Sequence, residues 1–187
     1  MISLIQLWLP ILLGAVAVFV VSSLVHMVLK WHNSDYLPLP NEDEVRAAIR
    51  KGAPAPGQYV IPHCTDMKQA QSPEMQQKFS EGPVAHVFVR ANGMMPIGKA
   101  LGQWFALSLG VSLLCGYVAA HSLHAGAPAG NVLRIVATIA FMAYGIGTIT
   151  EGIWQGKPWR SVGKDLADAL LYGFATAAPF AWLWPTA

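Results

Sequence analysis

Apolar residues run almost unbroken from Ile2 to Leu29, interrupted by Ser3, Gln6, Ser22, Ser23 and His26. A helix over that run is about 42 Å long at 1.5 Å per residue, more than the roughly 30 Å core of a bilayer, so it tilts or projects beyond it. A long polar stretch follows. Three further apolar blocks come after it, over about 100–120, 132–150 and 165–184. Lipid solvates neither a charge nor an open backbone, so blocks of this length read as spanning helices. The pattern predicts an all-α membrane protein with four transmembrane helices. Helix 1 covers 2–29, helices 2–4 lie within 97–187, and a small α+β insertion fills 30–96. Ala15-Val16-Ala17 resembles a signal-peptide cleavage site. A retained anchor is the better reading, because no basic residue precedes the run and it continues well past that point.

Within the insertion, Trp31-His32-Asn33-Ser34-Asp35 ends the first helix, and Pro38 and Pro40 hold the chain extended. Asn41 with Glu44 three residues on predicts a capping box for a short surface helix over Glu42–Lys51, stopped by Gly52 and Pro54. Tyr59-Val60-Ile61 and Val84–Val89 are β-rich and suited to pair. Ser72-Pro73 opens a second helix that reaches about Ser80 and ends at Gly82-Pro83.

Small residues recur four apart in two later helices: Gly102, Ala106 and Gly110, then Ala169, Gly173 and Ala177. Each set lies on one face and admits a close helix neighbour. The two faces are expected to meet one another or a further copy of the chain. Glu151–Lys164 reads as a polar connection, and Pro179 as a kink.

Composition sharpens this picture. The chain of 187 residues is 54% hydrophobic and only 12% charged, against roughly 25% charged in a soluble domain. A net charge of +2 gives no basis for nucleic-acid binding. Two cysteines, Cys64 and Cys115, imply no disulfide framework. Basic residues gather in the insertion and around Lys157–Lys164, with Arg134 alone on the opposite side. By the positive-inside tendency both connections face the cytoplasm and both termini lie outside it.

Three groups of side chains are candidates for chemistry. Ser22, His26 and Lys30 are four apart and share a helix face, which suits a proton path. His26 is also near the interface, where a polar side chain costs little, and that plain reading outweighs the other. Glu151, Asp165 and Asp168 cluster at helix ends; Asp165 and Asp168 are three apart and suit a shared proton or cation, with Asp168 deeper. Acids in a first turn also simply favour the helix dipole. His63, Cys64 and Met67 are soft or borderline metal ligands, but adjacent strand residues point to opposite faces, so the spacing is poor. No cofactor is named by the sequence.

The run V-H-M-V-L-K-W-H-N-S-D-Y-L-P-L-P-N-E-D-E from Val25, P-G-Q-Y-V-I-P at Pro56–Pro62 and S-P-E-M at Ser72–Met75 resemble a family of bacterial four-span inner-membrane proteins with no assigned activity. The resemblance extends to the closing F-A-W-L-W-P and implies a multi-pass inner-membrane location. It carries over no catalytic residue or cofactor. The leading functional expectation is a non-enzymatic accessory or scaffolding subunit. It would sit in the lipid bilayer and bind a protein partner or a second copy through its small-residue faces and its inner domain. The alternative is a small transporter or a metal- or proton-handling protein using His26 and Asp168. A membrane-embedded enzyme has least support.

Overall fold

The computed structural model describes residues 2–186. Within these bounds the chain divides into two compact units, one made of residues up to Tyr36 and from Met95 onward, the other Leu37–Met94.

The first unit is a helical bundle. A short turn at Leu4–Leu7 leads into α1, Trp8–Ser23. The helix then widens into a π-turn over Leu24–Leu29, breaks at Lys30, and resumes as a tight 3₁₀ turn at Trp31–Asp35. The break is a backbone event: Lys30 sits in the left-handed region at φ 52°, which a side-chain-bearing residue enters at a cost.

The second unit carries α2 (Glu42–Gly52), β1 (Gly57–Ile61), α3 (Met67–Ala70), α4 (Pro73–Glu81) and β2 (Ala85–Val89). The strands pair antiparallel, with Tyr59 opposite Val87 and Ile61 opposite Ala85. Met75 on α4 is buried. Ser72 caps α4 by accepting from the Met75 amide. The expected box at α2 is different. Asn41 has a ψ of 46° and makes no side-chain cap; its amide instead donates to Glu44 at 3.3 Å. With the cap residue outside the extended region, its side chain does not overhang the first-turn amides.

The bundle is completed by α5 (Ile97–Ser122), α6 (Ala129–Gln155) and α7 (Trp159–Trp182). Leu4–Leu29, Ile97–Ser122 and Ala129–Gln155 are each long and apolar enough to cross a membrane. α7 is comparably long at 24 residues, but Arg160, Lys164, Asp165 and Asp168 make its first half less apolar than the other three. The expected polar connection Glu151–Lys164 is mostly helix. Gly156 closes α6 in the left-handed region at φ 73°, and Pro158 opens α7. Glu151 therefore belongs to α6, and Asp165 and Asp168 lie roughly two and two and a half turns inside α7.

α7 runs along α6 and also packs on α1, while α1 and α6 both contact α5. The seam between α6 and α7 is tight. A Cβ on Gly173 would fall 2.9 Å from the Ala137 carbonyl oxygen, and one on Gly145 would fall 2.7 Å from the Ala169 Cβ. The small face of Ala169, Gly173 and Ala177 is thus buried, against α6 rather than against the stripe on α5. Gly102 and Gly110 have open space where a Cβ would go, and Ala106 is exposed. The apolar core, including Leu7, Ile11, Cys115, Val132, Val136 and Phe180, fills one end of the bundle. Polar side chains gather at the other.

Candidate functional site

The polar end is built where the end of the first apolar helix meets the start of α7. The π-turn presents His26. The left-handed step at Lys30 reverses the chain, and the 3₁₀ turn brings His32 back onto it, so the two rings stack with centroids 4.8 Å apart. α7 supplies the facing side chains. Lys164, Asp168 and Tyr172 are successive fours and share one face of α7.

His26, His32 and Tyr172 converge on Asp168. Its Oδ2 lies 2.9 Å from His32 Nε2 and 3.6 Å from His26 Nε2. The Tyr172 hydroxyl lies 3.4 Å from the same oxygen and 3.3 Å from His26 Nε2. Asp168 is 5% exposed. Among the described residues its Oδ1 is buried without a hydrogen-bond partner. An unpartnered carboxylate oxygen in a buried setting carries a desolvation cost of several kcal/mol unless something compensates it.

A second tier holds the first in place. His32 Nδ1 lies 2.8 Å from Asp35 Oδ2. Asp35 Oδ1 receives Lys164 Nζ at 2.6 Å, and the same ammonium donates to the Trp31 carbonyl at 2.6 Å and to Ser34 Oγ at 2.9 Å. The hydrogen bond from Lys164 holds the Asp35 carboxyl below its ordinary range; burial opposes this and the bond with His32 adds to it. His32 thus stands between two carboxylates, and it donates to both at once only with a proton on each ring nitrogen. With neutral imidazoles, two carboxylates face a single ammonium, and the cluster is one positive charge short of neutrality.

Trp104, Tyr144 and Tyr172 form a mutual aromatic contact beside the cluster, with centroids 5.6–5.9 Å apart. Trp104 Nε1 donates to Ser22 Oγ at 2.9 Å. A cleft of about 230 Å³, lined by Ser22, Ser23, His26, Met27, Leu101 and Trp104, opens next to His26, whose side chain is 53% exposed.

The other sequence candidates lie elsewhere. Asp165 and Glu151 meet Lys157, at 2.6 and 2.8 Å, and Thr148 donates to Asp165 at 2.6 Å. Burial alone would lower the Lys157 pKa, but its hydrogen bonds to Asp165 and Glu151 outweigh that and raise it. This group ties the α6–α7 turn and is internally paired, and Asp165 and Asp168 turn to different partners. In the second unit His63 and Met67 are exposed and Cys64 is half-buried. The Cys64 thiol donates to the Asp66 carbonyl, and these residues are not drawn into a shared donor cluster with other histidines, cysteines or acids among those described. Ser22 bonds back to Phe19, and the expected line from Ser22 through His26 to Lys30 is broken by the π-turn.

Along the sequence His32 and Asp35 belong to what looks like a polar helix end, and nothing in their spacing alone marks them as site residues. The available signal was a second histidine six residues after His26 with an acid three residues on, which one tight turn brings together. Comparison with protein-family models, curated proteins and solved structures returns no match.

Proposed function

We propose that this is an integral membrane protein whose working part is a cation site at His26, His32 and Asp168, handling a metal ion or a proton. The observation that carries this is Asp168 itself. It is buried, one of its oxygens lies 2.9 and 3.6 Å from two imidazole nitrogens, and the other has no hydrogen-bond partner among the described residues. Ionisable groups inside a membrane bundle are expensive and face its interior when they serve ions or protons.

The same geometry supports four spans. Three of the four charges that lower the apolarity of α7 face partners within the bundle, Lys164 with Asp35, Asp165 with Lys157 and Asp168 with His32, while Arg160, the second residue of the helix, is exposed. A helix of 24 residues is about 36 Å long and reaches across the bilayer core. Our reading of orientation is that the Leu37–Met94 unit and the α6–α7 turn face the cytoplasm of a bacterial cell, because the basic residues near helix ends collect there.

A second reading has one observation in its favour. The stripe of Gly102, Ala106 and Gly110 is uncovered, as expected of an accessory subunit that meets its partner there. Complementation separates the two. In a strain lacking the gene, Asp168→Asn and His32→Gln should abolish rescue at wild-type membrane abundance while Gly102→Leu rescues. Full rescue by the two site variants, with failure of Gly102→Leu, would establish the accessory role instead.

A further inference from the structure

Resting on the cation-site reading, we infer that the ion is a divalent first-row transition metal, held by His26, His32 and Asp168. The three donor atoms all lie within 4.8 Å of one another. Around an ion bonded at roughly 2.0–2.2 Å, neighbouring donors lie about 3–3.5 Å apart. The separations of 2.9 and 3.6 Å to Asp168 Oδ2 already bracket that distance, and a side-chain adjustment of His26, the exposed member, closes the set.

Hydrogen bonding alone leaves Asp168 incompletely satisfied. His26 Nε2 meets the Tyr172 hydroxyl at 3.3 Å but stands 3.6 Å from the carboxylate oxygen, beyond hydrogen-bond reach, with its ring stacked on His32. Among the described residues Asp168 Oδ1 has no hydrogen-bond donor. An ion shared by the three side chains compensates the buried carboxylate, and a carboxylate turned to bind through both oxygens gives Oδ1 its partner as well.

The surroundings are those of a metal ligand set. A metal-bound histidine normally passes its other ring nitrogen to a carboxylate, which orients the ring and raises its basicity. Asp35 stands at that position on His32, 2.8 Å from Nδ1, and Lys164 fixes Asp35 in turn. Two imidazole nitrogens with one carboxylate select a transition ion over magnesium or calcium, which favour all-oxygen sets. Three protein ligands leave coordination positions open. The open side is that of His26, where the cleft lined by Ser22, Met27, Leu101 and Trp104 begins, so water or a small ligand has a route to the ion.

The test is metal binding by the purified full-length protein in mild detergent, stripped with chelator and titrated with Co(II), then with Zn(II) in competition. The expected result is one Co(II) per chain with visible d–d absorption, displaced by Zn(II). Affinity should fall at least tenfold in His26→Ala and further in His32→Ala and Asp168→Asn. Asp35→Asn should keep the stoichiometry and weaken binding about 10- to 100-fold. His63→Ala and Cys64→Ser should bind as wild type. His26→Ala removes an exposed side chain, so it reports on the site even where the two buried variants fail to fold. No Co(II) bound by wild type, or binding that survives His26→Ala and Asp35→Asn unchanged, overturns the metal assignment. Loss of complementation by Asp168→Asn alongside such a result would leave the ion a proton. Intact complementation would remove the cation site as well.

Discussion

Lys164 Nζ lies 2.6 Å from Asp35 Oδ1, so a residue one turn before Asp168 on α7 pins the segment that carries His32. Removing that ammonium should release the segment without dissolving the bundle. Lys164→Met is expected to raise amide exchange across Trp31–Asp35 while α6 and α7 stay protected. Unchanged exchange there would show that the 3₁₀ turn holds itself.

The same pair sets an acid limit. Asp35 titrates below its ordinary range because Lys164 and His32 bind its charged form. A carboxylate depressed on folding stabilises above its unfolded pKa, and that contribution is lost as pH falls through the lower folded value. Exchange at Trp31–Asp35 should therefore be slow at neutral pH and quicken below the ordinary carboxylate range. Asp35→Asn should show the fast rate at every pH. A wild-type profile in that variant would assign the transition to another group.

Lys30 occupies the left-handed region at φ 52°. Glycine adopts it freely, whereas a β-branched side chain does not. Lys30→Gly should fold at least as well as wild type. Lys30→Val should cost roughly 1–2 kcal/mol and weaken Co(II) binding with it, because His32 reaches His26 through this one residue. Equal thermal midpoints and affinities for the two variants would refute the hinge.

The α6–α7 seam and the α5 stripe should respond oppositely to one methyl group. Gly173→Ala places a Cβ 2.9 Å from the Ala137 carbonyl oxygen, and forcing the helices apart should cost about 1–3 kcal/mol. Gly102→Ala meets nothing within 4 Å and should be neutral or gain up to about 1 kcal/mol from helix propensity. Loss of monodispersity on heating in detergent ranks the two; the reverse order would contradict this packing.

At the α6–α7 turn, Lys157 is held by Asp165 and Glu151, which raise its pKa against its burial. A raised lysine stabilises fully below its unfolded pKa and loses that effect as pH climbs through the folded value. Lys157→Gln should lower stability by roughly 1 kcal/mol, the upper end for a partly exposed pair. It should also flatten the alkaline side of the profile. A variant that keeps the wild-type alkaline decline would place its origin elsewhere.

The cation cluster shows why sequence reading stops short of a site. His26 and Asp168 stood out because a polar group inside an apolar run is conspicuous. His32 did not, because a histidine in a helix-terminal N-S-D segment looks like a solvated end. What makes it a donor is a π-turn followed by one left-handed residue, and neither has a composition signal, since lysine is not a residue that favours positive φ. Asp165 was paired with Asp168 on spacing alone. Three residues apart on a helix is a neighbourly distance, yet Lys157 and Thr148 on one side, and His32 on the other, draw the two acids to different partners.

By itself the sequence determined where long apolar helices form, since a charge-free block of sufficient length has few other uses, and it placed a small mixed unit between the first two of them through its turn and cap residues. Only the tertiary structure decided which small-residue face is buried, and that Lys164, Asp165 and Asp168 of α7 face partners within the bundle. It also decided that His26, His32 and Asp168 share one point in space. The physical reason is one of range. Periodicity and capping act over a few residues and can be read along the chain, but a buried carboxylate is defined by what reaches it from 136 positions away.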